Sequence, residues 1–250
     1  MATHTVREFE GRVVLITGGA RNIGRSMAAT FAAGGACVAV NARTSRQDLE
    51  ATAAAIAAAG GEALSCIADI TDPHAVKRMV DAILDKWGRL DILVNNAVAH
   101  RFKPFDELTI DDWRATLSVT LDGAFHCIQA CMPHLIRGGG GSIVNMGGAF
   151  GHIGSAGRAA TATSKAGLAG LTRALASELA PHDINVNYVA PGPANTERDF
   201  AFQFDLKKIP MGRFAESSEI ATLVKLLCSR EGRYITGQTI HINGGLFMNN

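Results

Sequence analysis

Short runs of β-branched and other apolar residues alternate with longer alanine-rich stretches along the chain, beginning near Arg12. The short runs are typical of buried strands, whereas the longer stretches repeat their apolar residues at helical spacing. Strands are predicted at 13–16, 36–40, 63–67, 92–94, 142–145, 184–188 and 239–242. The clearest helices are predicted at 23–33, 47–59, 73–87, 111–136, 164–179 and 218–227. This alternation predicts a doubly wound α/β fold, in which a parallel sheet is covered by helices on both faces.

One segment interrupts this alternation, between a Pro-Gly and a Pro-Met-Gly sequence. No linker composition accompanies it, so residues 1–250 are predicted to form a single domain. Within the segment Phe200, Phe202 and Phe204 alternate with polar residues, and we predict a substrate lid at about 193–215. A short edge strand or a packed surface loop explains the same pattern equally well. A lid of this composition indicates a substrate with an apolar part.

The charge balance excludes two classes of partner. The chain has 24 basic and 23 acidic side chains, which give a net charge of +1. No strong field would attract nucleic acid or an acidic membrane surface. The longest apolar stretches are interrupted well before the ~20 residues that a membrane-spanning helix needs. A small molecule is therefore the predicted partner.

The cysteines indicate a reducing compartment. There are five of them, an odd number, with no C-x-x-C pair, so we predict a cytoplasmic protein without disulfides. Cys127, Cys131 and His134 are spaced to share one helix face, which raises the possibility of a metal site. Buried side chains on an amphipathic helix explain the spacing better, and no metal is predicted.

A glycine-rich loop separates the first predicted strand from the first helix, with the sequence Thr17-Gly18-Gly19-Ala20-Arg21-Asn22-Ile23-Gly24. Glycine lets the backbone turn sharply and approach a pyrophosphate, whose charge then meets the amide groups at the helix N-terminus. The position between a strand and a helix makes this a strong signal for a Rossmann-type dinucleotide site. The residues predicted to contact the cofactor here are Gly18, Arg21, Asn22, Ile23 and Gly24.

The end of the second predicted strand indicates which dinucleotide is bound. An acidic residue at this place would bind the ribose 2′-hydroxyl of NAD(H), but Ala42 and Arg43 occupy it. A guanidinium can instead bind a 2′-phosphate through charged hydrogen bonds, and Arg21 approaches from the glycine loop. We therefore predict NADP(H) as the cofactor.

Over nearly its whole length the chain resembles the short-chain dehydrogenase/reductase family. Besides the glycine loop, the matching motifs are Asp69-Ile70, Asn95-Asn96-Ala97, Ser164-Lys165-Ala166-Gly167, Pro191-Gly192 with Thr196, Gly237-Gln238 and Asn243-Gly244-Gly245. The resemblance implies a seven-stranded sheet of order 3-2-1-4-5-6-7. It also implies a homotetramer packed through the helices at 111–136 and 164–179 and through the last strand, where small residues on the second helix permit close approach.

The same resemblance assigns the cofactor contacts beyond the glycine loop. It places Asp69 and Ile70 beside the adenine, and Asn95 and Ala97 beside the ribose. Lys165 would hold the hydroxyls of the nicotinamide ribose. The nicotinamide end itself would be lined by Val189, Pro191, Gly192 and Thr196.

The catalytic residues of the family are mostly missing. Of the tyrosine, lysine, serine and asparagine that the resemblance leads one to expect, only Lys165 is present. Thr161 stands at the tyrosine position, Gly148 at the serine position and Thr120 at the asparagine position. Two glycines of the cofactor motifs are also replaced, one by Asn22, which tolerates a left-handed backbone, and one by Val98.

These losses remove the usual proton donor. The phenol of a tyrosine is made acidic by a nearby lysine, and threonine cannot ionise in that way. His152 and Arg158 are predicted to border the substrate pocket, as are His100 and Arg101, and a histidine there could supply a proton. Thr161 would lie on the same helix face as Lys165 and could bind substrate. The predicted catalytic residues are Lys165, Thr161 and His152.

Three functions fit these observations. The first is an NADP(H)-dependent oxidoreductase acting on an iminium or a strongly polarised conjugated system, which needs little acid assistance. The second is a catalytically silent NADP(H)-binding sensor or partner subunit. The third is a lyase or hydrolase that uses the same pocket without redox chemistry.

Overall fold

The computed structural model describes residues 7–99, 101–197 and 204–248. Its seven strands form one parallel sheet in the order β3-β2-β1-β4-β5-β6-β7, which confirms the predicted fold and order. The strands are β1 (Val13–Ile16), β2 (Cys37–Ala42), β3 (Glu62–Ile67), β4 (Ile92–Asn95), β5 (Gly141–Met146), β6 (Ile184–Pro191) and β7 (Thr239–Ile242). The predicted strands agree to within three residues at each end.

Helices cover both faces of this sheet. They are α1 (Asn22–Ala33), α2 (Arg46–Ala58), α3 (Pro73–Trp87), α4 (Ile110–Leu117), α5 (Gly123–Arg137), α6 (Phe150–Ile153), α7 (Ala159–Leu179) and α8 (Ser217–Cys228). The single helix predicted at 111–136 is divided by a π-helical turn, Ser118–Asp122. Helix α7 begins five residues before its predicted start, and Ser164 lies inside it, where its hydroxyl donates to the Thr161 carbonyl.

Two apolar layers hold the helices to the sheet. Successive strand residues point to opposite faces, so Val14 and Ile16 pack in one layer while Val13 and Leu15 pack in the other. The first layer meets α1 and α8, and the second meets α3, α5 and the C-terminal half of α7. Each fully buried large apolar side chain contributes roughly 1.5–3 kcal/mol. These layers fix the positions of the strand ends that form the site.

The cysteines of α5 belong to the second layer. Cys127 and Cys131 are fully buried, and burial raises the pKa of the Cys127 thiol to about 12. All five cysteines are free thiols. Among the described residues no group of three His, Cys, Asp or Glu side chains is arranged to hold a metal. Nor is any described helix long and apolar enough to cross a membrane.

Candidate active site

A cleft of about 740 Å³ lies where the parallel strands end at their carboxyl termini. Its volume is within the usual range for a site that takes a small ligand. It is lined by these predicted cofactor residues: Gly18, Arg21, Asn22, Ile23, Gly24, Arg43, Asp69, Ile70, Ala97, Lys165, Pro191, Gly192 and Thr196. The topology thus brings residues that are far apart in the sequence, from Gly18 to Thr196, into a single site.

Two of the predicted cofactor contacts do not line the cleft: Val189, which is fully buried in the first apolar layer, and Asn95. The side chain of Asn95 is buried, and its Nδ2 donates a 2.9 Å hydrogen bond to Oδ1 of Asn145 on β5. Asn145 in turn donates to the Thr172 hydroxyl on α7. The neighbouring Asn96 lines the cleft and donates to the carbonyls of Thr17 and Gly18. Asn95 therefore links β4 to β5 and, through Asn145, to α7, while Asn96 supports the glycine loop.

At two positions of the glycine loop, Gly18 and Gly24, the backbone leaves no room for a side chain or has a conformation that favours glycine. Gly18 has a φ of 62°, and a Cβ on Gly24 would lie 2.1 Å from the Gly18 carbonyl oxygen. Asn22, which begins α1, has a φ of 53°, as expected for asparagine in place of glycine. The N-cap residue Arg21 makes no side-chain capping hydrogen bond, and the first residues of α1 line the cleft, where their amide groups can serve as donors for an anion.

Asn22 also bridges the cleft. Its side-chain amide donates to the Glu197 carbonyl at 3.0 Å and accepts from the Glu197 amide at 2.9 Å. These reciprocal bonds connect the glycine loop to the segment that follows β6. The sequence carries no signal for this contact, since the two residues are 175 positions apart.

The adenine end of the cleft fits a 2′-phosphate. Arg43 lines it directly after β2, and the neighbouring Ala42 brings no carboxylate that would repel a phosphate. Arg21 lines the same end, and its Nε lies 3.4 Å from a carboxylate oxygen of Asp48 on α2. Part of the Arg21 charge is therefore offset, which leaves Arg43 as the main predicted phosphate contact. The residues present fit NADP(H).

Lys165 lines the opposite end of the cleft, together with Arg101 and Arg158. The Lys165 side chain is 8% exposed, and none of the ion pairs between described residues includes it. A Cβ built on Gly148 would lie only 2.6 Å from its Nζ. The ammonium thus occupies the space that a side chain at 148, the predicted serine position, would enter. Burial, and secondarily the nearby Arg158 guanidinium, lower the pKa of Lys165 to about 8.

The other two predicted catalytic residues do not line the cleft. Thr161 is 1% exposed, and its buried hydroxyl has no hydrogen-bond partner among the described residues. His152 lies on α6 with its ring 4.7 Å from the ring of His241 and stacked on Phe247. Burial and the Arg173 charge lower the pKa of this histidine. Of the three predicted residues, Lys165 is the one that faces the cleft.

The other residues predicted to border the substrate pocket or to form the lid lie partly at the cleft and partly outside the described residues. Arg101 and Arg158 line the cleft, as predicted, whereas His100 lies outside the described residues. The ring centre of Phe204, in the predicted lid, lies 6.0 Å from the ring centre of Phe150, and Phe150 borders the cleft. Phe200 and Phe202 also lie outside the described residues.

Tyr188 is a feature that the sequence analysis missed. This β6 residue is fully buried, and a Cβ on Gly147 would lie 1.7 Å from its ring. Burial raises the pKa of its phenol to about 12, so Tyr188 is poorly suited to exchange a proton near neutral pH. Its ring explains why glycine is needed at 147, next to Gly148 at the predicted serine position.

Comparison with known proteins identifies the class to which this fold and cleft belong. Residues 18–247 match a family model described as enoyl-(acyl carrier protein) reductase. The chain is 38% identical to the 3-oxoacyl-[acyl-carrier-protein] reductase FabG of Staphylococcus aureus over 239 residues, which cover 94% of this chain and 97% of the relative. It is 36% identical to the Escherichia coli FabG reductase over 245 residues, with 96% and 99% of the two chains covered.

Solved structures agree with these matches. A putative short-chain alcohol dehydrogenase of Sinorhizobium meliloti superposes with a TM-score of 0.92 at 38% identity, covering 96% of this chain and 98% of that one. A short-chain dehydrogenase of Burkholderia cenocepacia, solved in complex with NADP, gives 0.90 at 37% identity, with 96% and 99% covered. The chain belongs to the short-chain dehydrogenase/reductase family.

Proposed function

We propose that this protein is an NADP(H)-dependent oxidoreductase that reduces a partly apolar small molecule without the tyrosine, serine and asparagine of its family. One observation carries the proposal: the Lys165 ammonium lines the cleft beside Gly148 and has a pKa of about 8. NADP(H) is the cofactor because Arg43 and the glycine loop fit it and a similar structure contains NADP. The nicotinamide supplies a hydride when it is bound.

In this proposal Lys165 takes over the work of the missing acid. Its ammonium is mostly protonated at neutral pH and can donate a proton, or a charged hydrogen bond, to an oxygen or nitrogen on which charge develops. With glycine at 148 and the Thr161 hydroxyl buried, no described hydroxyl group at the tyrosine or serine position intervenes. Substrates that need little acid assistance, such as iminium ions and polarised conjugated systems, suit such a site.

The test is oxidation of NADPH with a panel of electrophiles. The panel includes 3-oxoacyl thioesters, because the named relatives are 3-oxoacyl-carrier-protein reductases. We expect turnover that decreases as the pH rises through about 8, where Lys165 loses its proton. Lys165→Met should lower turnover about 100-fold or more, whereas His152→Ala and Thr161→Ala should retain most of it. No NADPH oxidation by a folded, cofactor-loaded protein would refute the proposal.

A catalytically silent NADP(H)-binding protein is the second candidate. It is favoured by Thr120 and Thr161, whose buried hydroxyls stand where reactive groups would be and have no hydrogen-bond partner among the described residues. This candidate predicts NADPH binding without oxidation by any electrophile, and recovery of an active relative in a pull-down. Turnover in the absence of any nicotinamide would instead indicate a lyase or hydrolase.

We also propose a cytoplasmic homotetramer. Five free thiols suit a reducing compartment. Exposed Phe125 on α5 and exposed Ala166 and Gly167 on α7 suit close helix packing, whereas Ala169 is buried within the protomer. A Cβ on Gly170 meets no atom within 4 Å, so Gly170→Arg should leave the protomer folded. Light scattering should then report a smaller assembly than the wild-type tetramer.

A further inference from the structure

We propose that the substrate end of the cleft binds a carboxylate group, held by the guanidinium of Arg158 and facing the ammonium of Lys165. This inference rests on the proposed function, because it assigns the substrate class of the same site. The substrate would be a small organic acid whose reducible group lies a few bonds from its carboxylate and whose remainder is apolar.

The distribution of charge favours an anion at this end. Arg101, Arg158 and Lys165 all line the cleft here. The described carboxylates that line the cleft are Asp69, which follows β3 at the adenine end, and Glu197, whose backbone is bonded to the glycine loop. Among the described residues that line the substrate end, positive charge therefore exceeds negative charge, and a carboxylate entering it would reduce repulsion among fixed cations.

The guanidinium of Arg158 lies between two aromatic rings. Its guanidinium carbon lies 4.2 Å from the ring centre of Phe102 and 4.3 Å from that of Phe150, and both rings border the cleft. Aromatic rings stack on the flat faces of a guanidinium, so recognition of another group uses the N–H donors in its plane. A carboxylate can accept two of these hydrogen bonds side by side.

Arg101 is less suited to the same role. Its Nε lies 3.7 Å from Asp112, which also accepts a 2.5 Å hydrogen bond from Lys103. The Arg101 charge is thus shared with a carboxylate of the protein. Arg158 lies close enough to Lys165 to lower the pKa of that ammonium, so an anion bound between them would stabilise both charges.

The apolar side chains around Arg158 favour acids that carry an apolar group. Phe102, 40% exposed, and Phe150 flank Arg158, and Val98, 39% exposed, borders the same cleft. A phenyl or short branched alkyl group can cover these surfaces when the carboxylate reaches Arg158. A neutral ester of the same acid would fill the same space without the paired hydrogen bonds.

The test compares phenylglyoxylate with its methyl ester as ligands of the NADPH-loaded protein, by calorimetry at pH 7. We expect the acid to bind at least about tenfold more tightly than the ester. Arg158→Gln should abolish the difference, and Arg158→Lys should retain part of it, because lysine keeps the charge but neither stacks nor forms paired hydrogen bonds in the same way. Arg114→Gln, an exposed change on α4, is the control that should keep the full difference.

A second measurement, the uptake of protons on binding, distinguishes failure of this proposal from failure of the proposed function. Carboxylate binding should raise the pKa of Lys165, so the protein should take up protons when phenylglyoxylate binds at pH 8 to 9, and Lys165→Met should remove that uptake. Equal affinities for acid and ester, an undiminished difference in Arg158→Gln, or no binding of either probe at about 10 mM would overturn the proposal. If NADPH itself does not bind, the proposed function fails, and the same comparison on the cofactor-free protein still decides the carboxylate site.

Discussion

Replacing Lys165 with methionine should stabilise the cofactor-free protein while removing its activity. The ammonium is buried in the cleft without an ion-pair partner among the described residues, and its environment includes the Arg158 charge. Holding a charge in this place costs free energy that an apolar side chain of similar length does not. Stability and function should therefore change in opposite directions at this position.

The magnitude follows from the pKa of Lys165. Its pKa is lowered from 10.5 to about 8, and each unit corresponds to about 1.4 kcal/mol. The cost of the folded ammonium is therefore about 3 kcal/mol at pH 7. Between pH 8 and 10.5 the unfolded chain binds this proton more strongly than the folded one, so the cost decreases as pH rises and vanishes above the unfolded pKa. Lys165→Met should thus be more stable by up to about 3 kcal/mol at pH 7, and this advantage should shrink towards pH 10.5.

The assay is urea unfolding at fixed protein concentration, followed by circular dichroism at several pH values from 7 to 10. The quantity of interest is the difference in unfolding free energy between Lys165→Met and wild type, because other groups that titrate cancel in it. Lys77→Met is the control: Lys77 is exposed on α3 and paired with Asp81, a pair worth only about 0.3–0.5 kcal/mol. A difference that does not change with pH would refute the reasoning about Lys165.

Three further substitutions test other parts of the cleft. Arg43→Ala should weaken NADPH binding by about 10- to 100-fold in a fluorescence titration and leave NADH binding unchanged, because only the 2′-phosphate contact is lost. Gly147→Ala should destabilise the fold by at least about 1–3 kcal/mol in a thermal melt, since its Cβ would lie 1.7 Å from the Tyr188 ring. Asn22→Ala removes both hydrogen bonds to the segment after β6 and should speed NADPH dissociation severalfold in stopped-flow measurements, with an unchanged rate counting against a bridging role.

The fold and the cofactor end of the cleft could be predicted because their signals are local. Apolar periodicity marks strands and helices, and the glycine loop lies between a strand and a helix in the sequence itself. Parallel strands bring their carboxyl ends to one edge of a sheet, so residues that follow several strands meet there. Arg43 and Pro191 were found in this way.

The catalytic end was less predictable because its contacts depend on side-chain direction. Asn95 and Asn96 are adjacent and chemically identical, yet they point to opposite sides where β4 ends, and only Asn96 lines the cleft. His152 was expected at the pocket from its place in the chain, but its ring packs against His241 on β7. Such contacts are set by packing across distant elements, for which the sequence alone carries no periodic signal.

The central claim is that this cleft transfers a hydride from NADPH although the family tyrosine is absent. The most direct measurement uses NADPH deuterated at the transferring carbon, mixed with the protein and an electrophile panel, and analyses the products by mass spectrometry. The account predicts deuterium in at least one product with the wild-type protein and its near absence with Lys165→Met. Saturating NADPH binding by the wild type with no deuterium in any product would contradict it.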